Sequence, residues 1–266
     1  MRTENGGTFM TCKICQREMS LFATATILGR HDVKYYRCSE CEFVCTEEPY
    51  WLEEAYAQPV SRSDVGLVSR NLLYARVTKV LLFSFFDRGG RFLDYGGGYG
   101  LFARIMRDSG FDFYWYDAHC ANLFAEGFEA SMDADGYELV TAFEVVEHLP
   151  DPLREIREVI GCAGSVLFST RPIPAGPPLP GSWWYYGLDH GQHVAFYSRK
   201  TLNVIADLLG LSFHTNGRSL HLLTRRQINP LAYRCLSRYK VALPLSLLLH
   251  KRSLQGGDYS WIAGGH

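Results

Sequence analysis

The chain has 266 residues, 47% of them hydrophobic, and its 27 Lys and Arg against 28 Asp and Glu leave a net charge of −1. That size and apolar content suit an α/β domain with a smaller module attached, and the charge balance predicts no strong overall field. No uninterrupted apolar run is long enough to cross a bilayer, no charged-then-apolar signal opens the chain, and eight cysteines without such a signal argue against structural disulfides. A cytoplasmic location is therefore expected.

The first signal along the chain is Cys12-x-x-Cys15 with Cys38-x-x-Cys41, the two pairs separated by 22 residues. The spacing predicts a zinc ribbon over residues 10–46. Each CxxC turn offers two thiolates to one ion, and the resulting closed tetrahedral shell leaves no position for chemistry, so the metal is structural. Between the pairs, Leu21 to Leu28 and Val33 to Arg37 alternate as a hairpin does, with residues 29–32 as its turn. The alternative is a pair of reduced, buried thiol turns, with Cys45 packed beside them. Neither pair begins a helix in a βαβ pattern, as a redox motif would.

Residues 47–88 read as a helical linker or cap. A helix is predicted after Pro49, a break at Pro59-Val60-Ser61, and a second helix from Ser63 to Ser84 carrying Leu67, Leu72, Ala75, Val80 and Leu82.

An apolar run then ends at Asp94 and enters the alternating glycines Gly96, Gly98 and Gly100. Glycines allow positive φ and let the main chain approach a ligand where a Cβ would collide, so this is a strand running into a nucleotide-binding turn. A dinucleotide fingerprint would place Gly or Ala three residues after Gly98, where Leu101 stands. A helix is predicted from Leu101 to Ser109 with Gly110 closing it, then a strand over Asp112 to Tyr116. Asp117 follows at the place where an acid is expected to bind a ribose. Tyr137 to Pro152 reads as strand, turn and the start of a helix bearing Leu153, Ile156, Val159 and Ile160. A strand over Gly164 to Thr170, a helix over Leu202 to Gly210 capped by Ser198, and an antiparallel pair joined at Asn216-Gly217 complete the pattern.

Acid-x-Gly-x-Gly-x-Gly at Asp94 to Gly100, the acid Asp117, and the segment Phe143-Glu144-Val145-Val146-Glu147-His148 resemble, in order and interval, the motifs of class I S-adenosylmethionine-dependent methyltransferases. His193 followed by Phe196-Tyr197-Ser198 is similar to a pattern of the bacterial family labelled type 23. The resemblance covers most of residues 10–226. It implies an α/β, Rossmann-like core over residues 89–226, with a mostly parallel seven-stranded sheet ending in an antiparallel hairpin. It also implies S-adenosyl-L-methionine as cofactor, held by Asp94, Tyr95, Gly96, Gly98, Gly100, Asp117, Ala118, Phe143 and Glu144. Helices before the glycine turn often cap the pocket in this class, which makes Tyr74 and Arg76 candidates to face the ligand.

On the acceptor side, a Pro/Gly-rich loop over 172–181 leads into Trp183-Trp184-Tyr185-Tyr186 and then His190, His193 and Tyr197. This stretch is expected to overhang the carboxyl edge of the sheet, with Trp183, Tyr185, Tyr186 and Tyr197 contacting substrate. Transfer to an oxygen or carbon nucleophile requires removal of a proton, and His193, His190 and His148 are the candidate bases. Glu144-x-x-Glu147-His148 also resembles the ligand set of metal-dependent small-RNA 2′-O-methyltransferases, which implies a divalent cation at Glu144, Glu147 and His148, with His190 or His193 available to complete it.

A CxxC…CxxC module ahead of a class I core resembles bacterial sugar methyltransferases, and equally certain ribosomal RNA methyltransferases. The expected acceptor is a small hydroxylated or sugar-like metabolite, with O-methylation ahead of C-methylation because the sugar enzymes carry a larger carboxyl-terminal domain. RNA, or a non-catalytic scaffold role, is the alternative. From Arg218 through Arg252 there are eight Lys or Arg and no Asp or Glu, beside the apolar run Val241 to Leu249. This basic extension, residues 227–266, reads as a helix docked on the core, as a surface for a membrane or lipid-linked glycan through 227–252, or as an RNA contact.

Overall fold

The computed structural model describes residues 10–57, 64–132, 136–174 and 176–264. The break expected at residues 59–61 and the helix start expected at Ser63 lie outside these.

The alternating residues of the cysteine module form β1 (Met10–Thr11), β2 (Glu18–Ile27), β3 (His31–Cys38) and β4 (Val44–Thr46). β2 and β3 pair as the expected hairpin, turning through Leu28 and Gly29, both at positive φ. One strand was not legible in the sequence. β9 (Ala195–Phe196) comes from far down the chain and pairs with β4, Val44 opposite Phe196, to complete a five-stranded antiparallel sheet. The module is thereby hydrogen-bonded to the loop that follows His193.

Two helices follow, α1 (Leu52–Ala55) and α2 (Leu67–Phe85). Tyr74 faces inward on α2, whereas Arg76 lies on its exposed side, away from any ligand-facing position.

The second sheet contains β5 (Arg91–Tyr95), β6 (Asp112–Tyr116), β7 (Leu139–Phe143), β8 (Ser165–Ser169), β10 (Ser212–Thr215) and β11 (Leu220–Thr224). Its order is β10-β11-β8-β7-β5-β6. β6, β5, β7 and β8 run parallel, while β11 is antiparallel to both β8 and β10. Among the described residues the expected seventh strand is only a one-residue parallel bridge, Trp115 to Glu129, on the open edge of β6. Residues 118–132 contain no Val, Ile or Thr and are interrupted by Gly127 at positive φ, so nothing there favours an extended run. The chain leaves β5 for β6 on one side and reaches β7 on the other, which puts the glycine turn at the point where the strand order reverses, the ligand position of open α/β sheets.

Helices α3 (Leu101–Asp108), α4 (Pro152–Ala163) and α5 (Arg199–Leu209) cover the sheet. Ser198 caps α5 in a reciprocal box with Thr201, as its position before the apolar run predicts. Alternation along the strands divides the interior. Phe92, Phe113, Leu139 and Leu167 face α2 and α3, while Leu93, Val140, Ala142, Val166 and Phe168 share a cluster with Ile156, Ile205 and, from the cysteine module, Ile14, Met19 and Phe43. The module and the sheet thus bury one continuous apolar surface.

The carboxyl-terminal segment forms α6 (Pro230–Leu236), α7 (Tyr239–Leu248) and α8 (Gln255–Ala263). α7 packs on α2 and buries Ala242. α8 is held by Asp258, which accepts from Arg107 Nη2 and Arg104 Nη2, both at 2.7 Å. Burial opposes the charge on Asp258, but Arg107 and then Arg104 bring its carboxyl below the ordinary aspartate value. Of the expectations for this extension, core docking describes α7, whereas α8 is held by ion pairs and leaves Tyr259, Trp261 and Ile262 exposed. Among the described residues no helix is long and apolar enough to cross a membrane.

Candidate functional site

The apolar strand β5 carries Asp94 into the interior, where its Oδ1 accepts from Thr141 Oγ1 at 2.7 Å and its Oδ2 has no partner among the described residues. Burial is the main cause that pushes this carboxyl up to about 7, against the opposing Thr141 bond. At Gly96, φ is +65°, and a Cβ would lie 2.6 Å from Val145 Cγ2. At Gly98, φ is +55° and a Cβ would meet nothing within 4 Å, so bare backbone faces open space. Trp115 Nε1 donates to Gly98 O at 2.9 Å, and Gly98 N donates to Asp117 Oδ2 at 2.8 Å. Asp117 Oδ1 accepts from His119 N and Cys120 N, which fixes the carboxylate at the end of β6.

The turn separates two cavities. The larger, about 610 Å³, is lined by Tyr95, Gly96, Gly98, Asp117, Ala118 and Glu144, together with Leu52, Glu53, Tyr56, His119, Val145, His148 and Glu155. The smaller, about 120 Å³, lies between the turn and α2 and includes Arg70, Asn71, Tyr74, Asp94, Phe143 and Glu144. Tyr74 stacks on Phe143, centroids 4.4 Å apart, and donates to Glu144 Oε1 at 3.1 Å. Glu144 has φ of +55°, an unusual conformation for a residue with a Cβ, and its N–H donates to Ser169 Oγ at 2.7 Å. All nine cofactor candidates lie in or beside these cavities except Gly100, which starts α3 behind them. The set fits S-adenosylmethionine: an open glycine main chain, a buried carboxyl oxygen without a donor, and the carboxylates Asp117 and Glu144 suit a ligand with a cationic amino-acid end and a ribose diol.

The far wall of the larger cavity is built from histidines. His148, in the short 3₁₀ turn Val146–His148, reaches the cavity, and its Nδ1 lies 3.0 Å from Tyr56 Oη. The Tyr56 ring stacks on His119 at 4.6 Å. Behind His148 stands His193, its ring centroid 4.9 Å away and its Nδ1 2.6 Å from the Tyr185 carbonyl, which requires that this nitrogen donate. His190 packs edge-on to His193 at 4.8 Å and does not line the cavity. Burial, then the other imidazoles, lowers His148 well below the ordinary histidine value. Burial, followed by His190, lowers His193 to about 4, so both rings are neutral near pH 7.

Beneath them, Glu147 is fully buried. Its Oε1 accepts from Tyr185 Oη, and its Oε2 has no partner among the described residues. Burial, reinforced by Glu144, pushes it up to about 8. One ligand atom from each of Glu147, His148 and His193 lies within 4.8 Å of the others. The set expected from resemblance, Glu144, Glu147 and His148, does not assemble. Glu144 is turned towards Ser169 and Tyr74 by its left-handed backbone, and His193 takes the third place.

The aromatic candidates for substrate contact are placed differently from expectation. Tyr185, Tyr186 and Tyr197 are buried, their hydroxyls bonded to Glu147, to Pro178 O and to Val146 O respectively, and Trp183 packs against Tyr185 and Tyr186. None of the four lines either cavity. The positions they leave are taken by Leu52, Glu53 and Tyr56 at α1 and by Glu155 of α4. Sequence reasoning missed these. The only signal was the helix predicted after Pro49 in a linker expected to cap the pocket.

Cys12, Cys15, Cys38 and Cys41 converge, with Cys12 Sγ 3.5 Å from Cys41 Sγ and Cys15 Sγ 3.5 Å from Cys38 Sγ. Backbone N–H groups of Ile14 and Cys41 donate to Cys12 Sγ and Cys38 Sγ. Four thiolates around a zinc ion with Zn–S bonds of about 2.3 Å would sit roughly 3.7 Å apart, so the cluster is compatible with a structural zinc. Cys45 is buried in β4 beside it.

No protein with a curated description matches the chain in sequence. Among solved structures, an O-methyltransferase family protein from Burkholderia thailandensis is similar at 15% identity and a TM-score of 0.46, covering 66% of this chain and 62% of that one. The magnesium protoporphyrin IX methyltransferase from Synechocystis, solved with S-adenosylmethionine bound, is similar at 13% identity and a TM-score of 0.39, covering 66% of this chain and 90% of that one. The family model Methyltransf_23, a methyltransferase domain, matches residues 69–216, more than half of the chain. The chain therefore belongs to that family and is a class I S-adenosylmethionine-dependent methyltransferase, carrying ahead of its core a cysteine cluster that suits a zinc ribbon.

Proposed function

We propose that this enzyme O-methylates a small, uncharged, hydroxylated metabolite of sugar-like character, in the cytoplasm. The observation that carries the reading is the charge of the larger cavity. Its lining includes Glu53, Asp117, Glu144 and Glu155 and no Lys or Arg among the described residues. Phosphate groups of RNA or of a nucleotide-linked sugar would meet only like charge there, whereas hydroxyl groups find acceptors on several sides. A ribbon that needs reduced thiolates fits cytoplasmic residence.

In this reading the donor lies along the glycine turn, its ribose at Asp117 and its amino-acid end towards Asp94 and Glu144. The acceptor oxygen attacks the sulfonium methyl in line. The O–CH₃ bond forms as the S–CH₃ bond breaks, the donor leaves as a neutral thioether, and the acceptor's proton departs on the side of Glu147, His148 and His193. Catalysis is then chiefly alignment of the two reactants plus handling of that proton. The core around the glycine turn holds the donor, α1 lines the acceptor side with the ribbon supporting it through β4 and β9, and α6 and α7 brace α2.

The test is transfer of a labelled methyl group from S-adenosylmethionine into a cell extract, followed by separation on a strong anion exchanger. Label in small molecules that pass through unretained is expected. Label in RNA, or confined to strongly retained small molecules, overturns the acceptor class. No transfer, with no donor binding by calorimetry, supports a scaffold role instead.

A further inference from the structure

We infer that Glu147, His148 and His193 form a binding site for one divalent first-row transition ion at the acceptor wall, separate from the cysteine cluster. Three features of the geometry carry this. The donor set is mixed, two imidazoles and one carboxylate, which suits zinc, manganese or iron(II) and is unlike a solvated acidic patch. Each ligand is also held at its other atom: Tyr185 Oη on Glu147 Oε1, Tyr56 Oη at His148 Nδ1, and the Tyr185 carbonyl at His193 Nδ1. That leaves Glu147 Oε2 and the two Nε2 atoms as the ligand atoms, which is how metal-binding histidines and carboxylates are oriented by their outer partners. Finally, Glu147 Oε2 is fully buried and has no partner among the described residues, an arrangement that costs free energy unless a cation or donor meets it.

One ligand atom from each of the three residues lies within 4.8 Å of the others. An ion with bonds of about 2.0–2.2 Å needs them roughly 3.3–3.6 Å apart, so binding closes the site by about an ångström of side-chain rotation. Of the three residues only His148 borders the larger cavity, so an ion held here would meet the acceptor on the His148 side. Its chemistry there would be Lewis-acid activation of the acceptor oxygen. That role rests on the acceptor reading above, whereas ion binding does not.

The experiment uses full-length protein with its cysteine cluster loaded with zinc, titrated with Co²⁺ and read by equilibrium dialysis, metal analysis and visible absorption. One further equivalent per chain is expected, with the weak ligand-field bands of a nitrogen and oxygen site and no thiolate charge-transfer band. Glu147→Gln, which is isosteric, and His193→Ala should each lower Co²⁺ affinity by about 100-fold or more while zinc content and S-adenosylmethionine affinity stay unchanged. Absence of a second equivalent in the unaltered protein overturns the site, as does a second equivalent kept by both variants or one showing thiolate charge transfer. Because the readout is ion binding, a wrong acceptor class leaves it untouched, and a failed titration leaves the acceptor class standing.

Discussion

The two sides of the larger cavity are built in opposite ways. On the glycine side the fixing contacts stay within the parallel strands of one sheet and the turns that follow them: Gly98 to Asp117 across 19 residues, Trp115 to Gly98 across 17 and Thr141 to Asp94 across 47. On the histidine side they join separate elements from far apart in the chain. Tyr56 reaches His148 across 92 residues, Tyr185 reaches Glu147 across 38, Gln192 bonds the Ala55 carbonyl across 137, and Trp51 bonds the Gly191 carbonyl across 140. Val194 N donates to Glu147 O and Thr46 N to Val194 O, so the wall hangs between the sheet and the cysteine module. A side set by its own strands keeps its shape when distant parts fail. A side assembled from α1, a long loop and a sheet that starts from the cysteine cluster depends on all of them at once.

The largest effect expected from this difference comes from disrupting the cysteine cluster, whose four thiols suit a structural zinc. Chelation, or Cys41→Ser, is expected to open this cluster, because filling a four-thiolate zinc shell is coupled to folding. β4 then loses its anchor, and with it β9 and the placement of His193. Turnover should fall by about 100-fold or more, and Tm by about 10 °C, corresponding to roughly 4 kcal/mol for a chain of this size. S-adenosylmethionine affinity by calorimetry should stay within about threefold of its starting value, since the glycine side lies on the other sheet. Parallel loss of donor binding and turnover would mean that the apolar surface shared by Ile14, Met19, Phe43, Val140 and Ala142 makes the two sides one cooperative unit.

A smaller effect separates two glycines within the glycine side. Gly96→Ala places a Cβ 2.6 Å from Val145 Cγ2 at φ of +65°, so both strain and overlap act, and about 1–3 kcal/mol of stability should be lost. Gly98→Ala meets nothing within 4 Å, so its stability cost is the conformational one, about 1 kcal/mol, while its methyl enters the space assigned to the donor. Denaturant unfolding should rank Gly96→Ala as the more damaging for stability, and calorimetry should show donor affinity falling about tenfold or more in Gly98→Ala. Unaltered donor affinity in Gly98→Ala would remove the donor from this turn.

The same contrast decides what was legible in the sequence. Asp94, the glycines and Asp117 are close together in the chain, and their roles follow from local needs: positive φ at a turn, an acid ending a strand, alternation of apolar residues. The sheet around them was legible for the same reason, down to the hairpin at Asn216-Gly217, where Asn216 Oδ1 accepts from three successive backbone N–H groups. β9 was not, because two residues carry no periodicity. Tyr56 carried no mark beyond its place after a predicted helix, and its meeting with His148 depends on how α1 docks. Tyr185 and Tyr197 looked like a recognition surface because aromatics in a long loop suit one. Their hydroxyls instead tie that loop to Glu147 and Val146, a structural use the composition does not distinguish. Glu144 is turned out of the acidic and imidazole set at a positive φ that no residue type there announces, while His193, one of the two histidines available to complete it, is in place.

The smallest effect tests that cross-chain meeting directly. Tyr56→Phe keeps the ring stacked on His119 and removes only the hydroxyl at His148 Nδ1. One such hydrogen bond contributes about 0.5–1.5 kcal/mol, so a drop of roughly two- to tenfold is expected in turnover and, through the freed imidazole, in Co²⁺ affinity at the Glu147, His148 and His193 site. Donor affinity should not move, because the removed hydroxyl meets His148 Nδ1 and takes no part in the hydrogen bonds that fix the glycine turn and Asp117. A weakening of donor binding equal to the loss of turnover would place Tyr56 on the donor, and the division of the cavity into a locally built side and a long-range one would have to be redrawn at α1.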